Sequence, residues 1–160
     1  MRTIQEILAR HETDKEIHHQ YGTAYGELLS TFDRNAPLNI LEIGIEKGGS
    51  LLAWRECFPN ATITGVDIVD RVRDRFRKKD INYVFTDIKE WQTDQTFDII
   101  IDDGSHFAQD VAFVIENFTP KLRAGGKLIV EDVQDTRLWD GYELIRCGDN
   151  YDDVLMVIHA

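Results

Sequence analysis

Short apolar runs separated by amphipathic or charged stretches recur along this chain from Leu38 onward. "LNILEIG" (38–44), "TITGVDI" (62–68), "INYVF" (81–85), "FDIII" (97–101) and "KLIVE" (127–131) are short, rich in β-branched residues and bounded by polar turns, so each reads as a strand. "SLLAWRECF" (50–58) sets Leu51, Trp54 and Cys57 or Phe58 at helical spacing and stops before Pro59. The charged stretch "DRVRDRFRKK" (70–79) is read as a helix, as is "FAQDVAFVIENF" (107–118), with Val111, Val114, Ile115 and Phe118 on one face. Near the end, "YELIRC" (142–147) and "DVLMVIH" (153–159) predict a hairpin across "GDNYD". Upstream, Tyr21, Tyr25, Leu28 and Phe32 fall on the buried face of one amphipathic helix.

Strands alternating with helices predict an α/β fold. The expected architecture is a Rossmann-like, doubly wound, mostly parallel seven-stranded sheet with a C-terminal antiparallel hairpin and an N-terminal lid helix. Residues 1–36 would form the helical lid and residues 37–160 the main body, within one compact domain. Open sheets of this kind bind ligands beyond the carboxyl ends of their strands. Those ends carry Glu42 and Gly44, Asp67, Asp87, Asp103 with His106, and Glu131 with Asp132. Every parallel strand thus leaves an acid at or just past its exit.

Composition narrows the partners. With a formal net charge of −11 over 160 residues, the surface repels phosphate backbones, so no nucleic acid is expected. The same charge favours a cationic ligand or a divalent metal. No run approaches a membrane span, and the polar N-terminus lacks a signal-peptide core, so a cytoplasmic protein without membrane contact is expected. Cys57 and Cys147 have no metal-binding spacing and read as buried, reduced thiols.

Two loops carry the candidate chemistry. "LEIGIEKGGS" follows the first strand and opens a helix, but it lacks the GxGxxG spacing that cradles a pyrophosphate, which disfavours a nicotinamide-dependent oxidoreductase. Its glycines, Gly44, Gly48 and Gly49, lie among Glu42 and Glu46, a setting for an amine or sulfonium rather than for phosphates. Asp67 is placed to accept two ribose hydroxyls. The second loop, "DDGSH", puts Asp102, Asp103 and His106 beside an apolar strand, where unpaired charge is costly. If the fourth and fifth strands are neighbours, Asp103, Glu131 and Asp132 converge, and three oxygen ligands without soft donors call for Mg²⁺, with Mn²⁺ as the alternative. His106, one loop residue away, would then take a hydroxyl proton, since imidazole titrates near pH ~6.5. Asp102, on the opposite side of the strand from Asp103, reads as structural, and Ser105 as the cap of the following helix.

The first loop, Asp67 and Asp87 resemble the cofactor-binding motifs of class I S-adenosylmethionine (SAM)-dependent methyltransferases. With "DDGSH" and "VED", the chain more narrowly resembles the metal-dependent sugar O-methyltransferases that tailor macrolides, whose relatives include cephalosporin hydroxylases. The N-terminal "TDKEIHHQYGTAY" is similar to a segment that covers cofactor and substrate in that family. The resemblance implies SAM and Mg²⁺ as cofactors, with Glu42, Gly44, Gly48, Ser50, Asp67, Asp87, Asp102, Thr13 and Lys15 at the cofactor. It implies Asp103, Glu131 and Asp132 at the metal, His106 as base, and His18, His19, Tyr21 and Tyr25 at the substrate or lid. The activity implied is O-methylation of a sugar or other vicinal diol in a small molecule or glycan. A catechol-type O-methyltransferase and a non-catalytic SAM-binding sensor or partner are the alternatives. The short stretch from Val133 to Gly141 leaves a minimal acceptor pocket, lined by Trp139 or Trp91 and completed by a second subunit if the protein is a homo-oligomer.

Overall fold

The computed structural model describes residues 2–160. Seven strands form one sheet: β1 (Asn39–Ile43), β2 (Thr62–Asp67), β3 (Ile81–Phe85), β4 (Phe97–Asp102), β5 (Leu122–Val130), β6 (Glu143–Arg146) and β7 (Val154–His159). Their spatial order is β3-β2-β1-β4-β5-β7-β6. The first five run parallel, and β7 inserts antiparallel between β5 and β6. The chain reverses its direction of travel across the sheet between β3 and β4, so the exits of β1 and β4 border the cleft expected at such a switch.

Side-chain alternation divides the core in two. Ile40, Ile63, Ile99, Ile101 and Ile129 face one side, where they meet α1 (Ile4–Arg10), α3 (Gly22–Leu28) and α4 (Gly49–Cys57). Leu41, Ile43, Val66, Ile100, Leu128 and Val130 face the other and pack on α5 (Ala108–Phe118) through Val111, Val114 and Phe118. Each such side chain, fully removed from water, contributes roughly 1.5–3 kcal/mol. The sheet is therefore doubly wound, as expected.

Three local expectations are corrected. Residues 70–79 do not form an α-helix: only Asp74–Phe76 turn, as a single 3₁₀ turn. Val72 and Phe76 are the segment's buried anchors, while Arg73 and Arg75 reach out to Glu12 and Arg77 to Asp70. The N-terminal helix is in fact three: α1, α2 (Asp14–Ile17) and α3, with a left-handed Gln20 (φ 57°) turning the chain between the last two. Tyr21, Tyr25 and Leu28 are buried as the pattern indicated, but they belong to the sheet's core, because α1 and α3 pack there rather than over the ligand edge. Ser105 does not cap α5; Phe107 holds the N-cap position, and the Ser105 hydroxyl instead donates to Asp110. Both cysteines are free, Cys57 buried and Cys147 half-buried. Among the described residues, no helix is long and apolar enough to cross a membrane.

Candidate active site

A cavity of about 480 Å³ opens at the carboxyl edge of β1, β2 and β4. Register explains how distant residues meet there. Ile43 pairs with Asp102, and Asp102 with Val130, so Gly44, Asp103 and Glu131 leave adjacent strands side by side. The approach is close: a Cβ on Gly44, whose φ is 80°, would lie 2.0 Å from the Asp103 carbonyl oxygen. Only glycine combines that conformation with that contact.

Strand parity then decides which way each acid points. Glu42, Asp103 and Glu131 continue the rows of Ile40, Ile101 and Ile129 and turn toward the N-terminal helices. There they meet Lys15, a fully buried side chain. Its Nζ lies 2.6 Å from Asp103 Oδ2, 2.8 Å from Glu131 and 3.2 Å from Glu42 Oε1. Burial alone would push the Lys15 ammonium down; the charges of Asp103, Glu131 and Glu42 more than reverse this and hold it well above the usual lysine range. Burial likewise raises Glu42, Asp103 and Glu131, opposed by the Lys15 charge. Ser50 Oγ donates to Glu42 at 2.9 Å, and the Tyr25 hydroxyl donates to Glu131. The inner acids are thus compensated by the protein itself.

The outer group is different. Asp103, His106 and Asp132 each bring one donor atom within 4.8 Å of the others. His106 Nε2 sits 3.6 Å from Asp132 Oδ2. Both residues occupy the left-handed region, with φ 60° for His106 and 54° for Asp132, at a cost of roughly 1–2 kcal/mol each. Such strain persists only where the surroundings impose it. For Asp132 that support is the buried Tyr21, whose hydroxyl donates to Oδ1 at 2.5 Å and accepts from the Asp132 amide at 3.2 Å. His19 stacks on the Tyr21 ring and shares a 2.9 Å hydrogen bond with the buried Asp153.

Two partly exposed carboxylates with an imidazole beside them fit a hard divalent cation. Asp103 and Asp132 would hold it. Glu131, expected as a third ligand, has its carboxylate engaged by Lys15 and Tyr25 and stands behind the pair, because strand parity turns it inward. Lys15, expected at the cofactor, does not line the cavity; it is the counter-ion of the inner acids. Its role was missed although the sequence held a signal: three acids of one parity on neighbouring strands need a cation on that face.

The remaining candidates divide in the same way. Thr13, Gly44, Ser50, Asp67, Asp87 and Asp102 line the cavity, while Glu42 and Gly48 do not. Asp67 Oδ2 accepts the amides of Ile45 and Glu46, both at 3.0 Å, and so holds the first loop while keeping free lone pairs. Asp87 Oδ1 accepts the Lys89 amide at 2.9 Å. Thr13 caps α2, and neighbouring Glu12 binds Arg73 and Arg75, so the 12–14 segment walls one side of the cavity. Asp102, on the α5 side, is pushed up to about 7 by burial and by the adjacent Asp103 charge. Contrary to expectation, His18, His19, Tyr21 and Tyr25 do not line the cavity. The two tyrosines are fully buried and brace Asp132 and Glu131 from behind, and His18 points to solvent. Trp91 stacks on Phe118 at the edge of the core and does not line the cavity.

Known proteins resemble this chain in sequence and fold. Residues 41–133 match the family described as "Methyltransferase domain". The chain is 32% identical over 155 residues to an 8-demethyl-8-alpha-L-rhamnosyl tetracenomycin-C 2'-O-methyltransferase of Streptomyces olivaceus, covering 86% of this chain and 39% of that protein. It is 35% identical over 152 residues to a mycinamicin VI 2''-O-methyltransferase of Micromonospora griseorubida, covering 87% and 38%. A solved structure of MycE methyltransferase in complex with Mg, SAH and mycinamycin VI is similar at a TM-score of 0.71 and 29% identity, over 88% of this chain and 39% of that one. The chain therefore spans about two-fifths of the length of these relatives. The matched segment runs from β1 through the Asp103–His106–Asp132 group and takes in more than half of the residues, and by that match the chain belongs to the methyltransferase domain family.

Proposed function

We propose that this chain is the catalytic domain of a SAM- and Mg²⁺-dependent O-methyltransferase acting on a hydroxyl of a sugar or similar vicinal diol. The observation that carries this reading is the convergence of Asp103, His106 and Asp132 at one end of a cavity whose other walls suit a nucleoside with a cationic tail. Asp67 and Asp87 offer acceptors for ribose hydroxyls and for the adenine edge. Ile68, Ile88 and Val114 supply apolar surface for the base. The acidic rim favours a sulfonium and an amine over phosphates. The sugar O-methyltransferases among the relatives point to the same acceptor class.

A divalent cation bound by Asp103 and Asp132 would lower the acidity barrier of an alcohol that is otherwise too weak an acid at neutral pH. The chain's own residues supply the rest. His106 Nε2, turned toward the carboxylates, receives the hydroxyl proton, and Asp132 Oδ2 stabilises the resulting imidazolium. The hydroxyl oxygen then bonds to the methyl carbon as the carbon–sulfur bond breaks, and the sulfonium leaves as a neutral thioether. Tyr21 keeps Asp132 in its strained position, and the 12–14 segment narrows solvent access to the reacting atoms.

Methyl transfer to alkyl rhamnosides, assayed with Mg²⁺, with EDTA, and with Mg²⁺ restored, tests the reading. Activity should vanish with the chelator and return with the metal. His106→Ala should lower the rate by about 10²–10⁴-fold while SAH affinity by calorimetry stays unchanged. Full turnover in EDTA would sink the mechanism.

A further inference from the structure

A chain of polar side chains separate from the carboxylate–imidazole group joins two loops of the cavity. Lys89, in the loop after β3, donates from Nζ to Asp110 Oδ1. Ser105, in the loop after β4, donates from Oγ to Asp110 Oδ2. All three residues line the cavity, and Asp110 stands in the first turn of α5. The hydrogen bonds from Lys89 and Ser105 hold the Asp110 carboxyl below the usual carboxylate range.

The bridge does little for folding: the Lys89 and Asp110 side chains are 42% and 24% exposed, and ion pairs in that setting add little stability. Its consequence lies in the loops. Among the described residues, no backbone–backbone hydrogen bond holds Gly104, Ser105 or His106. The His106 ring lies 3.6 Å from Asp132, beyond hydrogen-bond distance, and its backbone is left-handed. The Ser105 bond to Asp110 fastens this stretch to α5. At the other end, Lys89 follows Asp87 and Ile88, which the proposed function assigns to the cofactor base, and its amide donates to Asp87 Oδ1 at 2.9 Å. A base must reach the hydroxyl it deprotonates, and a misplacement of about 1 Å can cost about 10²-fold in rate.

We propose that Asp110 is a positioning residue for methyl transfer: its carboxylate fixes the His106 loop through Ser105 and clasps the Asp87 loop at the cofactor through Lys89. The assignment rests on the proposed function and deepens it, because one side chain outside the reacting group serves both halves of the site. Each arm can be cut separately.

The test uses the full chain with Mg²⁺, with SAH as binding probe and alkyl rhamnosides as acceptors. Ser105→Ala should lower kcat about 10–100-fold while SAH affinity by calorimetry stays unchanged, and Ser105→Thr, which keeps the hydroxyl, should restore the rate. By ¹⁵N relaxation, the His106 amide order parameter should fall from about 0.85 to below about 0.6 in Ser105→Ala and Asp110→Ala. Lys89→Met should weaken SAH binding about threefold, and Lys89→Arg should recover it. In an Asp110→Ala background, Lys89→Met should have no further effect. Additive losses from Lys89→Met and Asp110→Ala, or a His106 amide that stays rigid in Ser105→Ala, overturn the assignment. Should Asp110→Ala not fold, the order parameter in Ser105→Ala and SAH affinity in Lys89→Met decide it, and parental values in either overturn it. A parent chain that binds no SAH overturns the proposed function and this assignment together; SAH binding and turnover that are indifferent to both cuts overturn the assignment alone.

Discussion

Two groups of acids share one rim of the sheet and meet at Asp103, yet their fates differ. Glu42 and Glu131 are sealed inside: Glu131 takes hydrogen bonds from Lys15 and Tyr25, while Glu42 takes one from Ser50 and faces the Lys15 ammonium with its other oxygen. Asp132 and His106 face the cavity on strained backbone, with ligand positions still open. In the inner group a single ammonium already sits among the carboxylates, although burial still raises all three acids. Asp132 in the outer group has two imidazoles, His106 and His19, each 3.6 Å away, and the Tyr21 phenol beside it, so a bound cation has a place there. Compensation by the chain's own charge and compensation by a recruited ion are therefore separated by one residue just past the end of β5, from Glu131 to Asp132. The chain leaves the strand conformation at that step, where Asp132 takes a φ of 54°, and one acid faces the core while the next faces the cleft.

Removing the internal cation should break this contrast most severely. Lys15→Met leaves the buried Glu42 and Glu131 and the partly exposed Asp103 with no countercharge, a loss on the order of 3–5 kcal/mol in urea unfolding. The loss should be larger at high pH, where these acids would have to ionise, than at low pH, where they are protonated. A variant as stable as the parent at neutral pH would mean that the ammonium is not what holds the inner group.

Asp102 sharpens the comparison, since it adjoins Asp103 but faces the α5 side with no cation against it. Its carboxyl binds a proton up to about pH 7 in the folded chain but only to its ordinary value of 3.8 when unfolded. The folded state therefore holds more protons in that window. The associated stability is fully present below the unfolded value and is lost as pH rises through about 7. Asp102→Asn should remove that loss, gaining on the order of 2–4 kcal/mol over the metal-free parent between about pH 4 and about pH 8. Parallel stability curves for the two proteins would refute the assignment.

Tyr21→Phe tests the outer group more gently. Without the hydroxyl, Asp132 loses the hydrogen bonds that hold its left-handed conformation. Divalent-ion affinity, followed by Mn²⁺ paramagnetic resonance, should fall about 10–100-fold. An unchanged affinity would show that Asp132 is positioned by its own backbone alone.

Much of this was legible beforehand, and the failures are instructive. The parallel strands and the closing hairpin followed from apolar runs, because burial on both faces leaves few alternatives for such segments. The acids at the strand exits were equally visible. The 70–79 stretch misled because charge at helical spacing looks like a solvated helix, whereas Val72 and Phe76 alone could not hold one against arginines drawn to Glu12 and Asp70. The "HH" and tyrosine segment was read as a lid because its polar atoms could serve a substrate. In the folded chain the polar atoms of His19, Tyr21 and Tyr25 are spent on Asp153, Asp132 and Glu131, and His18 points to solvent.

By itself, the amino-acid sequence determined the sheet, its two apolar faces and the row of acids along one edge, since all three depend on local periodicity and on which groups water will not release cheaply. The division of those acids between an internal ammonium and an open mouth was decided only in three dimensions. Lys15 meets Asp103 across 88 residues of chain and Glu131 across 116. Contacts at that range are set by strand register and by the path of the N-terminal helices over the sheet, neither of which is encoded in any short stretch.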